Sequence, residues 1–101
     1  MNKIELIGTI SKIHKESSFK KEGKEYKYVT VLIQLNDNRK IAANVWNDKI
    51  KTLASFGVGD MVVVELNIAS EENIRQGEGV YFHKLNLKTI THYDQAIFNQ
   101  P

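Results

Sequence analysis

The chain has 101 residues, of which 42% are hydrophobic and 26% charged, and its formal net charge is +2. These values predict one folded domain and exclude a largely disordered chain. The sequence contains no cysteine, which excludes a disulfide scaffold, a thiolate metal site and a cysteine nucleophile. No apolar run has the length of a signal peptide or a membrane span, so we expect a cytoplasmic protein.

The charges are distributed unevenly along the chain. Residues 1–51 hold eleven Lys and Arg against six Asp and Glu, whereas residues 52–101 hold three against six. A basic half of this kind is typical of a surface that attracts a polyanion. Solvated surface lysines without a partner would give the same pattern, so charge alone does not choose between the two interpretations.

Alternation of apolar residues begins at the N-terminus and predicts a first strand over residues 3–15. Gly8 inside this strand predicts a bend or a close approach of two backbones, as barrels need. Residues 16–25 have no apolar period and include Gly23, which predicts a charged hairpin loop.

A second strand is predicted from Tyr26 and a third over about residues 40–46, separated by the turn sequence at 36–38. In both strands apolar residues alternate with other residues, which predicts one core-facing side. The residues on that side are Val29, Val31, Ile33, Leu35, Ile41, Ala43 and Val45.

A short helix is predicted after the third strand. The dipeptide Asn47-Asp48 is typical of a helix N-cap, and Gly57 is typical of a residue that ends a helix. Two more strands follow, over residues 61–69 and 80–91, with a polar hairpin loop predicted at 70–79.

This order of elements predicts an all-β fold, namely a five-stranded Greek-key barrel of the oligonucleotide/oligosaccharide-binding (OB) type with one short helix between strands 3 and 4. We expect the domain to span residues 1–91 and residues 92–101 to form a C-terminal tail. A different small barrel with a similar number of strands is the alternative.

Several short stretches resemble known proteins. NKIELIG (residues 2–8) resembles the opening strand of bacterial single-stranded-DNA-binding proteins. VWNDK (45–49), FGVGD (56–60) and YFHKLN (81–86) resemble a family of short, mostly uncharacterised bacterial and phage proteins with the same barrel. The resemblance implies binding of single strands, often by a homo-oligomer, in DNA replication, recombination or repair. The tail departs from the pattern, because the acidic tip of many such proteins has no counterpart here.

Aromatic residues occupy the predicted outer side of strands two and three. Because Val29 and Val31 face the core, alternation turns Tyr26, Tyr28 and Trp46 outward. On that side of such barrels, aromatic rings stack bases, with about 1–3 kcal/mol per base and little dependence on sequence. Cross-strand aromatic pairs also stabilise sheets without a ligand. The alternative positions for Trp46 are a cap at the end of the barrel and an interface between subunits.

Lysines in and beside the first loop are candidate phosphate contacts, whose contribution to affinity would depend on salt. Phe19 lies in the same basic loop, where we expect it to stack on a base or to pack back onto the barrel. The candidate nucleic-acid-binding residues are therefore Trp46, Tyr28, Tyr26, Lys20, Lys21, Lys24, Lys27, Lys40 and Phe19.

The sequence offers no catalytic residues, no metal ligands and no cofactor site. His14, His83 and His92 have no metal-ligand spacing, and the glycines at 57 and 59 form a turn rather than a phosphate-binding loop. We therefore expect a sequence-tolerant single-stranded DNA-binding protein that is not an enzyme; these residues do not distinguish DNA from RNA. The alternative is a protein-interaction or assembly barrel without nucleic-acid binding, which the acidic residues predicted in the loop at 70–79 favour.

Overall fold

The protein is described by a computed structural model that covers residues 3–75 and 78–98. No helix in that part of the chain is long and apolar enough to cross a membrane. The strands are β1 (Lys3–Ile13), β2 (Ser17–Lys21), β3 (Lys24–Gln34), β4 (Lys40–Trp46), β5 (Met61–Arg75) and β6 (Glu78–His92). A 3₁₀ helix spans Asn47–Ser55, and the α-helix α1 spans Tyr93–Phe98.

Strand pairing closes five of these strands into a ring. β1 pairs with β5, β5 with β6, β6 with β4, β4 with β3, and β3 pairs back with β1. All these pairs are antiparallel except β4–β6, which is parallel. β2 extends the sheet beyond the ring by pairing with β3. The predicted five-stranded OB barrel is confirmed, with its helix between the third and fourth strands of the ring.

The apolar side chains that alternate along the strands fill the interior of the ring, as the sequence predicts. Val31, Ile33 and Val45 are at most 1% exposed, and a fully buried aliphatic side chain contributes about 1.5–3 kcal/mol relative to an exposed one. The buried apolar side chains among the described residues are Ile10, Val29, Val31, Ile33, Ala43, Val45, Leu53, Val62, Val64, Leu66 and Leu87.

Gly8 lies where β1 passes close to β3. A Cβ atom at this position would lie 2.5 Å from Cγ2 of Ile33 and 2.8 Å from the carbonyl oxygen of Gln34. At this crossing β1 exchanges partners, since Lys3 to Thr9 pair with β5 and the residues from Thr9 onward pair with β3. The close backbone approach predicted at Gly8 is confirmed.

The prediction of a loop at residues 16–25 is wrong, because β2 and the start of β3 form a regular two-stranded hairpin there. Its turn contains Glu22 and Gly23, with φ values of 53° and 79°. Positive φ at both central residues matches the turns that suit the twist of a two-stranded hairpin. Backbone pairing holds β2, so the strand forms without the apolar alternation that sequence analysis relies on.

The loop predicted at residues 70–79 is also wrong. β5 and β6 stay paired far beyond the barrel, as far as Arg75 opposite Glu78. Polar side chains do not prevent this pairing, because the hydrogen bonds of the ladder join backbone groups. The acidic side chains on which the alternative interpretation depends, at positions 71, 72 and 78, lie outside the described part of the structure.

The helix predicted after the third strand is present, but Asn47 does not cap it. Asn47 has a φ of 50°, and its Oδ1 accepts a hydrogen bond from the backbone N–H of Lys27 at 3.0 Å. The side chain therefore ties the helix start to β3. The helix ends at Ser55, two residues before Gly57, and its buried side chain is Leu53.

The start of the predicted tail folds as α1, which contacts β5 and β6. Just before it, the His92 ring stacks on Phe56, with centroids 4.2 Å apart. Its Nε2 lies 2.9 Å from the carbonyl oxygen of Ser55. These contacts join the end of β6 to the end of the 3₁₀ helix. The boundary between a domain of residues 1–91 and a tail of residues 92–101 stays a prediction.

We expect the substitution Gly8→Ala to destabilise the protein by about 1–3 kcal/mol, because the added methyl group overpacks the crossing of β1 and β3. Urea unfolding measures the change. Gly57→Ala is the matched control, since no neighbouring atom lies within 4 Å of a Cβ built at Gly57. Equal stability of the two variants would contradict the close approach.

Candidate nucleic-acid interface

Four aromatic rings lie together on the outer side of β2, β3 and β4. The register places Phe19 opposite Tyr26 and Tyr28 opposite Trp46, so all four share one side of the sheet. The Phe19 and Tyr26 rings are stacked with centroids 5.5 Å apart, and those of Tyr28 and Trp46 are 5.1 Å apart. Phe19 also lies 6.0 Å from Trp46, which makes the cluster continuous. We name this surface the aromatic face.

The aromatic face is partly open to solvent. Phe19 is 43% exposed, and the other three residues are half-buried. The Phe19 ring packs against Tyr26 and Trp46 and keeps a large exposed surface, and its stacking on a base stays a prediction. The rings therefore pack against one another and still present π surface at which a planar ligand can stack.

Asn86 holds the indole ring of Trp46 in place. Nε1 of Trp46 donates a hydrogen bond to Oδ1 of Asn86 at 2.8 Å. The indole N–H is only a donor, so this bond also fixes which way the amide of Asn86 points. The parallel register places Asn86 beside Asn44, whose Oδ1 accepts a hydrogen bond from Oγ1 of Thr30 at 2.7 Å. The three polar residues border the aromatic face with oriented hydrogen-bonding groups.

Thr30, Asn44 and Asn86 are not among the site residues predicted from the sequence. Thr30 and Asn44 share the alternation of Tyr28 and Trp46, so their outward position was a signal available in the sequence. Asn86 had no such signal, because it reaches Trp46 through a strand pairing that joins residues 40 positions apart.

Three of the candidate lysines lie on the same side of the sheet as the aromatic rings. Lys21 and Lys24 are opposite each other at the tip of the hairpin, and they follow the alternation of Phe19 and Tyr26. Lys40 starts β4 on the outer side of the barrel, opposite Gln34. Lys21 and Lys24 therefore border the aromatic face at its hairpin end, whereas Lys40 lies at the other end of β4, six residues or about 20 Å from Trp46.

The other two candidate lysines lie on the opposite side of the hairpin. Lys20 is opposite Glu25, and Lys27 is opposite Ser18, out of phase with the rings. Lys27 lines a cleft between the hairpin and the 3₁₀ helix that also contains Glu25 and Asp48. The structure therefore does not bring Lys20 and Lys27 together with the aromatic residues.

The Asp37 carboxyl has a lowered pKa, and it lies away from the aromatic face. Among the described residues, no group of three or more His, Asp or Glu side chains is placed to hold a metal ion. The pKa of Asp37 is lowered, chiefly by the hydrogen bond from the backbone N–H of Arg39, with a further contribution from the Arg39 guanidinium. Asp37 belongs to the β3–β4 turn, at the opposite end of those strands from Trp46. The shift therefore reflects the geometry of the turn.

The sequence profile of one protein family, described as a domain of unknown function (DUF3127), matches residues 5–90. None of the curated protein sequences matches the chain.

Two solved structures share the architecture of this protein. Both are crystal forms of the mitochondrial single-stranded DNA-binding protein Rim1 from S. cerevisiae. The first has a TM-score of 0.60 and 19% identity, and the match covers 90% of this chain and 94% of the Rim1 chain. The second has a TM-score of 0.60 and 21% identity, over 91% and 92% of the two chains. The resemblance noted in the sequence is thus confirmed at the level of the fold.

Proposed function

The chain belongs to the DUF3127 family, and we propose that it binds single-stranded DNA with little dependence on base sequence. The observation that carries the proposal is the aromatic face, a continuous cluster of four half-exposed or exposed rings on the outside of an OB barrel. Stacking on such rings contributes about 1–3 kcal/mol per base and accepts every base, because each base has a π surface. The shared fold with Rim1, named as a single-stranded DNA-binding protein, supports the same class of ligand.

The proposal assigns stacking to Trp46, Tyr28, Tyr26 and Phe19. Trp46 offers the largest ring of the four, and its bond to Asn86 holds that ring before any ligand arrives. A ring that is already fixed loses little conformational freedom on binding, which favours affinity. No reaction is proposed at this surface, and the protein acts in this account as a binding protein rather than an enzyme.

The proposal assigns phosphate contacts to Lys21, Lys24 and Lys40. Each ammonium group that neutralises a phosphate releases condensed counterions, so affinity falls as salt rises. RNA is a second possible ligand of the same chemistry, since neither stacking nor phosphate contact reads the 2′-hydroxyl. Roles in replication, recombination or repair, and a cytoplasmic location, stay predictions.

We also propose self-association, because a second surface of the barrel exposes apolar side chains. Ile7 and Met61 are 48% and 50% exposed. Ile7 is opposite Val63 in the β1–β5 register, so these side chains share the outer side of that strand pair. Adjacent exposed aliphatic residues are typical of an interaction surface. A homo-oligomer formed there would leave the aromatic face of β2–β4 accessible, and light scattering measures its mass.

Replacing Trp46 by alanine should weaken binding of a fluorescein-labelled oligothymidine by about 1–3 kcal/mol, or roughly five- to 150-fold, because one stacking platform is lost. Fluorescence anisotropy measures the affinity, and circular dichroism checks the fold. Val58→Ala is the control, since Val58 is 67% exposed and lies before β5, outside the strands that carry the aromatic face. Wild-type affinity in the Trp46→Ala protein would refute the proposed stacking.

The two sides of the hairpin should differ in their effect on salt dependence. Lys21→Ala and Lys24→Ala should each reduce the slope of log affinity against log salt concentration by about 0.7, the value expected for one phosphate contact to a single strand. Lys20→Ala and Lys27→Ala, on the opposite side, should leave the slope unchanged. The phosphate assignment fails if all four variants change the slope equally.

A further inference from the structure

We infer that a cleft between the 3₁₀ helix and β6 binds a phosphate of the DNA strand where that strand leaves the aromatic face at Trp46. The inference rests on the proposed function and extends the binding surface to residues that sequence analysis did not select. The cleft has a volume of about 230 Å³ and is lined by Lys49, Thr52, Leu87, Lys88, Thr89 and Ile90. We name it the Lys49–Lys88 cleft.

A β-bulge places Lys88 in this cleft. Glu65 is opposite Thr89 and Leu66 is opposite Leu87, so Lys88 is the extra residue on β6. A bulged residue is left out of the ladder, and bulges commonly redirect a side chain at a functional site. Leu87, the preceding residue, is only 4% exposed and anchors this part of β6 to the core. The bulge therefore presents an exposed cation from a firmly held strand.

Lys49 brings a second cation to the same cleft from a different element. It lies in the first turn of the 3₁₀ helix, three residues after Trp46. Oγ1 of Thr52 donates a hydrogen bond to the carbonyl oxygen of Lys49 at 2.7 Å, which stabilises the turn that carries both residues. With the hydroxyl of Thr89, the two ammonium groups give a set of donors, and charge-assisted bonds from such donors suit a phosphate oxygen.

Two carboxylates adjoin the lining residues in sequence or in strand register, and neither lines the cleft. Asp48 precedes Lys49 in the chain but lines the other cleft, together with Lys51. Glu65, opposite Thr89, has its carboxylate oxygen 3.4 Å from Nζ of Lys3. Neither carboxylate lines the Lys49–Lys88 cleft, and Glu65 already has a cationic partner.

Two lysines of the cleft are close along the chain to Trp46 and to its hydrogen-bond partner Asn86. Asn86, which accepts the hydrogen bond from Trp46, precedes Lys88 by two residues, or about 6–7 Å along a strand. Lys49 follows Trp46 on the chain as the sheet gives way to the helix. A strand with one base stacked on Trp46 therefore has an adjacent phosphate within reach of the two lysines.

The test compares the double variant Lys49→Gln/Lys88→Gln with the single variant Lys51→Gln, which removes a charge from the same helix but from the other cleft. Affinity for a labelled oligothymidine is measured over a range of salt concentrations. We expect the double variant to reduce the slope of log affinity against log salt by about 1.4, for two phosphate contacts, and Lys51→Gln to leave it unchanged. Quenching of Trp46 fluorescence at saturating oligothymidine should be the same in the wild type, the double variant and Lys51→Gln.

Two results overturn the inference, and they differ in what they imply. If the wild type binds and the double variant keeps its salt slope, the cleft makes no phosphate contact while DNA binding elsewhere stands. If the wild-type protein does not bind oligothymidine even at low salt, the proposed function fails and the inference fails with it. Because both lysines are exposed, the variants should fold, and circular dichroism verifies this.

Discussion

The register between β3 and β4 determines both the interior of this protein and its aromatic face. Val29 lies opposite Val45 and Val31 opposite Ala43, and these four side chains are at most 5% exposed. Because side chains alternate across a strand, the same register places Tyr28 opposite Trp46 on the outside. A shift of one residue would bury the rings and expose the valines, so the stability of the core maintains the geometry of the surface.

The aromatic face is assembled from parts of the chain that meet only through tertiary structure. The β2–β3 hairpin brings Phe19 onto Tyr26, and the parallel pairing of β4 with β6 brings Asn86 to Trp46. β2 is exposed along its whole length, so its attachment depends on backbone pairing and on the contacts of the Phe19 ring. The lysines of this edge strand also discourage unwanted strand addition, a common device at sheet edges. The proposed function gives Lys21 of this strand a second use as a phosphate contact.

The barrel was predictable from the sequence because apolar side chains must point inward at every second position of its strands. Val29, Val31 and Ile33 follow this spacing. β2 and the outer parts of β5 and β6 were not predictable, since polar residues can pair through the backbone with no apolar signal. The outward position of Tyr26, Tyr28 and Trp46 followed from alternation alone. The position of Lys27 on the side opposite the rings was equally predictable, because Lys27 alternates in step with Val29. The side that Lys20 occupies was not predictable, since no apolar alternation marks β2. Asn86 and the Lys49–Lys88 cleft depend on long-range pairing and a bulge, which no local pattern encodes.

The central claim is that a DNA base stacks against the outer side of β3 and β4, and Trp46, the single tryptophan of the chain, reports on that place directly. The decisive measurement is its intrinsic fluorescence during titration with unlabelled oligothymidine at low and at high salt. The account predicts saturable quenching at low salt and a weaker apparent affinity at high salt. An oligothymidine that binds without altering the emission of Trp46, or that does not bind at low salt, would contradict it.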